Sequence, residues 1–287
     1  MDSQNRSKIN SLLIHWPKGT LAVYEWLRKQ GVYRQLAETY VSGGWLERVA
    51  RGAFKRAGDE VDLTGAVYAL QTQLGLSIHP AGKTALQMQG YAHYLPFGTA
   101  SRSGSVSGSK NASVSRSGKF NEPASTANLS SRLWTLFGNS NEKLPAWFKT
   151  YAAKVDYAMT NLFGDNQTLG LTEHKTGDYS IKVSSPERAM FEVCYDVPEK
   201  VSFEEVSQLM EGLTTFRPSL VQELLQACRS VKTKRLFMYF AEEHQHAWIK
   251  KLDLAKVDFG SGKRSLVDGG YYNKKYQLVV PRKDKAA

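Results

Sequence analysis

Apolar residues recur at helical spacing in three consecutive segments near the N-terminus. The first segment places them at i, i+3, i+4 and i+7: Ile9, Leu12, Leu13 and Trp16. The second begins at Thr20, whose hydroxyl is expected to cap a helix that ends at Gly31, because glycine readily takes the left-handed conformation found at helix ends. The third, 33–42, carries Leu36 and Tyr40 one turn apart, so that both face the preceding helix. The spacing therefore predicts three packed helices.

The period changes after the third helix. Gly43 and Gly44 end that helix, and residues 45–49 and 53–56 have the composition of two strands around a short turn. A helix, a tight turn, a second helix and a two-stranded ribbon, in this order, are typical of a winged helix-turn-helix. In that motif the second helix can enter the major groove of DNA.

The polar residues of this region are those that a DNA-binding surface needs. We expect the outer face of helix 33–42 to read base edges, with Arg34 on guanine and Gln35 on adenine, while basic residues of the ribbon and Lys18 hold phosphates. The candidate DNA-binding residues are Lys18, Thr20, Tyr33, Arg34, Gln35, Glu38, Thr39, Ser42, Arg48, Arg51, Lys55 and Arg56. The same spacing also fits a small helical domain whose basic hairpin binds protein.

The rest of the chain mixes the two periods. Helices are predicted at 61–74, 80–94, 202–213, 218–228 and 231–241, and a further helix begins at Ser185-Pro186-Glu187. Strands are predicted at 76–79, at 133–137, on both sides of a turn at 175–178, at 264–267 and at 276–280. Residues 155–163 fit either a strand or a short helix. The mixture predicts an α+β protein, with a mixed α/β region after the winged helix-turn-helix.

A serine-rich segment divides the chain. Residues 99–131 alternate serine with small and basic residues and can bury little apolar area, so they predict a flexible linker or a surface insertion. The alternation also fits an exposed edge hairpin. Its cations either form a loose phosphate-binding arm or simply keep the segment in solution: Arg102, Lys110, Arg116 and Lys119. We expect an N-terminal domain at 1–96, this segment at 97–131, and a C-terminal domain at 132–287.

Composition narrows the class of partner and the compartment. The net charge of the 287 residues is +11, which favours a polyanionic partner, nucleic acid before membrane. Cys194 and Cys228 lie at apolar helical positions and do not form a disulfide framework, so a reducing cytoplasm is expected. The N-terminus lacks the apolar core of a signal peptide, and the apolar runs are too short to span a bilayer.

Three short segments invite a chemical interpretation, and each is weak. Residues 82–84 resemble the end of a phosphate-binding loop, but Ser77 stands where that loop needs its first glycine. His244 and His246 could bind a metal if they lay on a strand, yet no clear third ligand accompanies them. Residues 260–264 could bind phosphate through backbone amides, although a basic turn is the favoured interpretation. We therefore expect no enzymatic activity, no cofactor and no metal.

Several longer motifs resemble one known family over nearly the whole chain, apart from 99–131. They are Gly31-Val32 followed by GWLERVARGAFKR, then SIHPAGKTALQMQGYAHYL, KLPAWF, SPERA, VKTKRLF, HAW and DFGSGKR. Together, in this order, they resemble the AbiEi-type antitoxins. No single motif among them is diagnostic alone.

The resemblance implies a function that the residue pattern does not supply. It implies an N-terminal winged-helix DNA-binding domain, a C-terminal antitoxin domain, and an autorepressor that binds inverted repeats in its own promoter. The functional partner implied is a co-encoded nucleotidyltransferase-like toxin of a type IV system. Two other hypotheses stay open at this point: an RNA- or protein-binding module, and an enzyme that uses 82–84 or 260–264 on a nucleotide.

Overall fold

The structure, a computed structural model, describes residues 3–91, 133–152 and 154–282, with side chains from residue 8 onward. The serine-rich segment 99–131 and residues 92–94 of the helix predicted at 80–94 lie outside the described residues. Within the described residues that helix ends earlier than predicted, at Met88. The helices are α1 (Ser3–His15), α2 (Tyr24–Lys29), α3 (Arg34–Ser42), α4 (Leu63–Tyr68), α5 (Gly82–Met88), α6 (Ala146–Tyr151), α7 (Pro186–Tyr195), α8 (Phe203–Gly212), α9 (Pro218–Ala227) and α10 (Val231–Glu243). No helix in this described part is long and apolar enough to cross a membrane.

The strands are short and form four small sheets. They are β1 (Ala22–Val23), β2 (Leu46–Ala50), β3 (Ala53–Arg56), β4 (His79–Pro80), β5 (Trp134–Gly138), β6 (Val155–Met159), β7 (Leu171–Thr176), β8 (Tyr179–Ser184), β9 (Arg264–Ser265), β10 (Tyr271–Asn273) and β11 (Leu278–Val280). The sheets run β1-β3-β2, β4-β5-β6, β7-β8 and β10-β11-β9. The predicted α+β class is confirmed.

The first hydrophobic core lies between α1, α2, α3 and the β1-β3-β2 sheet. Trp16, Leu27, Val32, Tyr40 and Phe54 are buried together in it. The predicted helices at 7–16 and 33–42 and the two-stranded ribbon are confirmed as α1, α3, β2 and β3. The result is a winged helix-turn-helix whose sheet has a third strand, β1, that the sequence pattern did not reveal.

The start of α2 corrects the prediction for Thr20. Ala22 and Val23 pair with β3 as β1, so α2 begins only at Tyr24. Thr20 is fully buried and caps no helix: its hydroxyl donates to the Pro17 carbonyl at 2.7 Å and accepts from the Trp16 indole at 3.0 Å. The open edge of β3 binds this stretch as a strand, and that pairing overrides its local helical spacing.

A second core joins the region after the wing to the region after the serine-rich segment. Val67 and Ile78 pack in it with Trp134, Leu136 and Phe148. Its sheet makes the same link, because β4 pairs with β5 antiparallel and β5 pairs with β6 parallel. The residues on the two sides of the expected linker thus share a core. The ambiguous segment 155–163 begins as a strand, β6, and not as a helix.

The third core is built by α7 to α10 and the C-terminal sheet. Phe191 and Phe237 stack at its centre with ring centroids 4.1 Å apart. Cys194 and Cys228 are buried in it as predicted, and burial raises the pKa of the Cys228 thiol to about 11. The predicted helices of this region are confirmed; Ser185, for example, caps α7 by accepting from the Arg188 amide.

A buried carboxylate holds the second and third cores together. Glu192 of α7 is completely buried, and its Oε2 accepts the Gly82 amide at 2.9 Å. Its Oε1 lies 2.8 Å from the Ser184 hydroxyl, 2.9 Å from Nε of Arg188 and 3.4 Å from Nε2 of His79. Burial by itself raises the pKa of Glu192, but the His79 hydrogen bond and the Arg188 charge outweigh it and lower the pKa. Glu192 is therefore held ionised at the junction of β4, α5, β8 and α7.

We expect Glu192→Gln to lower the free energy of unfolding by about 3 kcal/mol, because it leaves the buried guanidinium of Arg188 without its counter-charge. Urea unfolding of both proteins measures the difference. Glu223→Gln, at an exposed position of α9, is the matched control and should stay within about 0.5 kcal/mol of the parent. Equal stability of the two variants would contradict the role given to Glu192.

The same network predicts a pH dependence. A carboxylate whose pKa is lowered in the folded state stabilises the fold above its unfolded pKa, about 4.3 for glutamate. That contribution is lost as the pH falls through the lower folded pKa. The stability difference between the parent protein and Glu192→Gln should accordingly be largest near neutral pH and shrink below about pH 4. A difference that stays constant down to pH 2 would contradict it.

Candidate nucleic-acid interface

Helix α3 presents one polar face to solvent. Its other face is anchored by Ala37 and Tyr40, which are buried against α2 and the sheet. Gly31 has φ +76° and turns the chain sharply between α2 and α3, a conformation that glycine adopts without strain. The exposed residues at the start and along the outer face are Tyr33, Arg34, Gln35, Glu38, Thr39 and Ser42. Tyr33 is the most prominent aromatic among them, with 64% of its surface exposed.

The wing is the β2–β3 hairpin, and its tip lies close to the start of α2. Gly52 has φ +84° in the turn, and its carbonyl accepts the backbone N–H of Tyr24 at 2.9 Å. This bond fixes the wing tip relative to the helices. Arg51 lies at the tip and is exposed, and none of the residues that the structure describes offers it a carboxylate. Its guanidinium therefore faces solvent at the end of the hairpin.

Arg48 and Glu38 connect the wing to α3. They form an ion pair across the space between β2 and the helix, and the Arg48 guanidinium also lies 5.3 Å from the centre of the Phe54 ring. Arg34 lies 5.9 Å from the centre of the Tyr24 ring. Exposed pairs of this kind contribute at most about 1 kcal/mol. They orient both arginines and leave each of them partly exposed to an incoming anion.

Three of the candidate cations lie at the root of the wing, away from its tip. Lys55 pairs with Glu47 at 2.9 Å on the neighbouring strand. The Arg56 guanidinium donates to the Leu13 carbonyl of α1 at 2.5 Å, and burial lowers its pKa. Lys18 is exposed, next to Gly19, whose amide donates to Asp59 after β3. The structure thus brings Arg34, Arg48 and Arg51 together, while Thr20 and Arg56 are engaged inside the protein.

A groove of about 570 Å³ separates α3 from the wing. Arg34 and Glu38 line one side, and Arg48 and Arg51 line the other. Its remaining wall comes from α2 and from the start of α6, a helix of the C-terminal region, at Pro145, Ala146 and Trp147. Three guanidinium groups against two carboxylates, those of Glu25 and Glu38, give the groove a positive balance.

Sequence reasoning missed the contribution of α6. Trp147 packs on the wing with Val49 and Ala50, and its buried indole N–H has no acceptor among the described residues. No local signal could have placed it there, because nearly a hundred residues separate it from the wing. Trp45 was also not among the candidates, although 41% of its surface is exposed at the entry to β2.

The other candidate sites are occupied by the protein itself. The Gly82 amide donates to Glu192, Lys83 pairs with Glu205 at 2.9 Å, and the Thr84 hydroxyl accepts the Thr135 amide. The segment 82–84 is the start of α5, within the helix predicted at 80–94. His244 lies 3.0 Å from the Ser207 hydroxyl, and His246 lies 2.8 Å from the Met210 carbonyl. Within the described part of the chain, no three His, Cys, Asp or Glu residues are arranged to hold a metal ion.

Comparison with solved structures supports the fold. The crystal structure of the RV2827C protein from Mycobacterium tuberculosis superposes with a TM-score of 0.53 at 15% sequence identity. The match covers 97% of this chain and 92% of the other. At this identity the likeness concerns the fold alone. Among curated proteins, a sequence search finds no match.

Two family models match the sequence and together cover most of it. Residues 5–97 match the model described as a transcriptional regulator, AbiEi antitoxin N-terminal domain. Residues 131–281 match the model described as a transcriptional regulator, AbiEi antitoxin, type IV toxin–antitoxin system. Helices α2 and α3 and the wing lie inside the first match, and helices α7 to α10 lie inside the second. This chain belongs to the AbiEi antitoxin family of transcriptional regulators of type IV toxin–antitoxin systems.

Proposed function

We propose that this protein is an autorepressor that binds inverted repeats in its own promoter through α3 and the wing. The observation that carries the proposal is the exposed polar face of α3 beside the groove that collects Arg34, Arg48 and Arg51. A helix about 10–12 Å wide fits the major groove of B-DNA. The wing then lies along the flanking backbone.

In this arrangement α3 supplies the base contacts. Gln35 and Arg34 lie in its first turn and are exposed, which suits the N-terminal end of a recognition helix. The amide of Gln35 can bond both N6 and N7 of adenine, and the guanidinium of Arg34 can bond O6 and N7 of guanine. Tyr33, Thr39 and Ser42 lie on the same exposed surface, where their hydroxyls can reach phosphates or base edges.

The wing supplies contacts that do not depend on sequence. Arg51 needs no rearrangement to reach a phosphate, because it stands exposed at the tip. Arg48 exchanges its partner Glu38 for a phosphate. This exchange costs little free energy, because an exposed ion pair contributes at most about 1 kcal/mol. Lys18 and Lys55 lie at the root of the wing and act as weaker phosphate contacts in this proposal.

The antitoxin role belongs to the C-terminal region in this proposal. Residues 131–281 match the antitoxin model, and we infer that they counteract a co-encoded nucleotidyltransferase-like toxin. Co-expression tests this directly: the full chain should restore growth to cells that express the neighbouring toxin from an independent promoter, and the full-length Gln35→Ala variant should restore it equally well. Loss of protection in a folded Gln35→Ala variant would contradict the assignment to the C-terminal region.

An RNA- or protein-binding module without operator recognition is the second candidate for the winged helix. The groove shared by the wing and α6 fits it, since a groove between two regions of one chain can also bind a protein segment. A salt-titrated gel shift separates the candidates. The protein is titrated onto the region upstream of its start codon, onto a scrambled duplex and onto single-stranded RNA of that region. Preference for the promoter duplex over the scrambled duplex supports the repressor. Equal binding of the two duplexes, together with RNA binding that Arg51→Ala weakens, contradicts it and supports the second candidate.

We expect Arg51→Ala to weaken operator and random duplex alike, roughly three- to tenfold, because it removes a phosphate contact and no base contact. The slope of log K against log salt should flatten by about 0.9. Arg229→Ala, an exposed arginine of the C-terminal region, removes the same charge and is the control. An unchanged slope for Arg51→Ala would contradict the wing assignment.

Gln35→Ala should act differently, because it removes base contacts. The difference in binding free energy between operator and random duplex should shrink by about 1–3 kcal/mol, while affinity for random duplex stays nearly constant. Competition gel shifts with both duplexes measure the ratio. Gln30→Ala, exposed at the end of α2 and outside the polar face of α3, is the matched control. Equal losses on both duplexes would contradict a reading role for Gln35.

A further inference from the structure

A second basic surface lies on the C-terminal sheet, outside the wing. Strand β9 and the loop before it carry Lys263 and Arg264, and both side chains are exposed. Strand β10, at the edge of the same sheet, carries Tyr271 and Tyr272 and is followed by the exposed Lys274. We call the surface formed by these five residues around the two sides of the small sheet the basic–aromatic face.

Buried cations hold the loop that presents this face. Arg235 of α10 is buried and donates to the carbonyls of Phe259, Gly260 and Gly262 at 2.9, 2.9 and 2.6 Å. Lys234, also buried, donates to the Asp258 carbonyl. Four backbone carbonyls are thereby turned toward the core. Lys263 and Arg264, which follow directly, are displayed on a fixed loop, and fixed cations lose less entropy when they bind an anion.

The two tyrosines are exposed to an extent that is unusual for large aromatic residues. Tyr271 and Tyr272 expose 59% and 40% of their surface. As successive residues of a strand they point to opposite faces of the sheet edge. The Lys263 ammonium lies 5.6 Å from the centre of the Tyr272 ring, so cation and ring are neighbours on one face. The Tyr272 ring therefore offers a flat surface beside positive charge, and the exposed Tyr271 ring lies on the other side of the strand.

The cations of this face form no ion pairs with the described carboxylates. The neighbouring Lys275 is paired with Glu242 at 2.6 Å and is therefore not counted in the face. Lys263, Arg264 and Lys274 have no ion pair with any described residue. Burial lowers the pKa of Arg235, and the nearby Arg264 charge lowers it further. The face thus carries three cations without an ion pair to the described residues.

We propose that the basic–aromatic face binds single-stranded nucleic acid, with a base stacked on Tyr271 or Tyr272 and adjacent phosphates on Lys263, Arg264 and Lys274. Exposed aromatic rings within a positively charged surface are the combination that binds single strands, because every base has a flat face to stack. A duplex keeps those faces covered, so it offers the rings no base to stack. The activity is separate from operator recognition by α3 and the wing.

Fluorescence anisotropy with the full chain tests the proposal. The probes are labelled twelve-nucleotide oligouridine and oligothymidine. Both are flexible pyrimidine single strands, and comparing them shows whether the face prefers RNA or DNA. The parent chain should bind at least one of them with a negative salt slope. The double variant Tyr271→Ala/Tyr272→Ala should weaken that binding about tenfold or more, since each base stacked on an aromatic ring contributes a factor of this order.

A charge-reversal pair supplies the second arm and its control. Lys263→Glu/Arg264→Glu should abolish measurable binding of the single strand. Lys250→Glu/Lys251→Glu changes the net charge by the same amount at two exposed positions of the 3₁₀ helix Ala247–Lys251 and should change binding less than threefold. Far-ultraviolet circular dichroism and the melting temperature establish that each variant is folded. A folded tyrosine variant with unchanged affinity, or equal losses in both charge-reversal variants, overturns the proposal.

Two further readouts separate this site from its rivals. The tyrosine double variant should retain the operator gel shift of the parent. Failure of the parent chain to bind its operator would contradict the repressor proposal and leave the single-strand proposal to be decided by the anisotropy measurements. Polyglutamate should not compete with the labelled strand at equal charge concentration. Competition by polyglutamate together with an unaffected tyrosine variant would assign the face to an acidic protein and overturn the single-strand proposal.

Discussion

The placement of Glu192 is the constraint on which the arrangement of this chain depends. One ionised carboxylate, without contact to solvent, accepts hydrogen bonds from α5, β8 and α7 and lies within reach of His79 in β4. An ion buried in this way is tolerated only when every lone pair has a partner. The elements that supply those partners cannot separate without exposing or orphaning a charge, so the segment after the wing is fixed to the C-terminal helices.

That junction determines how the winged helix packs against the C-terminal region. Because β4 and α4 share a core with β5 and α6, the wing packs on α6 through Trp147. The winged helix is therefore not an independent domain on a flexible linker. The polar face of α3 stays outside this contact, while the groove beside it acquires a wall from the C-terminal region. A change at the C-terminal region therefore has a direct physical route to the surface proposed to bind DNA.

Net charge alone says little about where this protein meets a polyanion. Several of its cationic side chains hydrogen-bond to backbone carbonyls of the protein itself. Arg188 donates to the Gln167 and Leu169 carbonyls, and Arg235 and Lys234 donate to carbonyls of the 258–262 loop. Those bonds compensate the cost of burying a charge. Other cations are exposed at many places on the surface. Two groups of them stand beside exposed aromatic residues: one beside α3, near Tyr33, and one on the C-terminal sheet, near Tyr271 and Tyr272.

The sequence by itself determined the elements whose signals are local. The serine caps of α7 and α8, the glycine that ends α2, the wing turn and the exposed face of α3 all follow from neighbouring residues. Only the tertiary structure decided the identity of β1, the burial of Thr20, the engagement of Arg56 with α1 and the position of Trp147. Each of these depends on a partner distant in sequence, and spacing along a chain carries no information about which distant edge, ring or carbonyl will meet it.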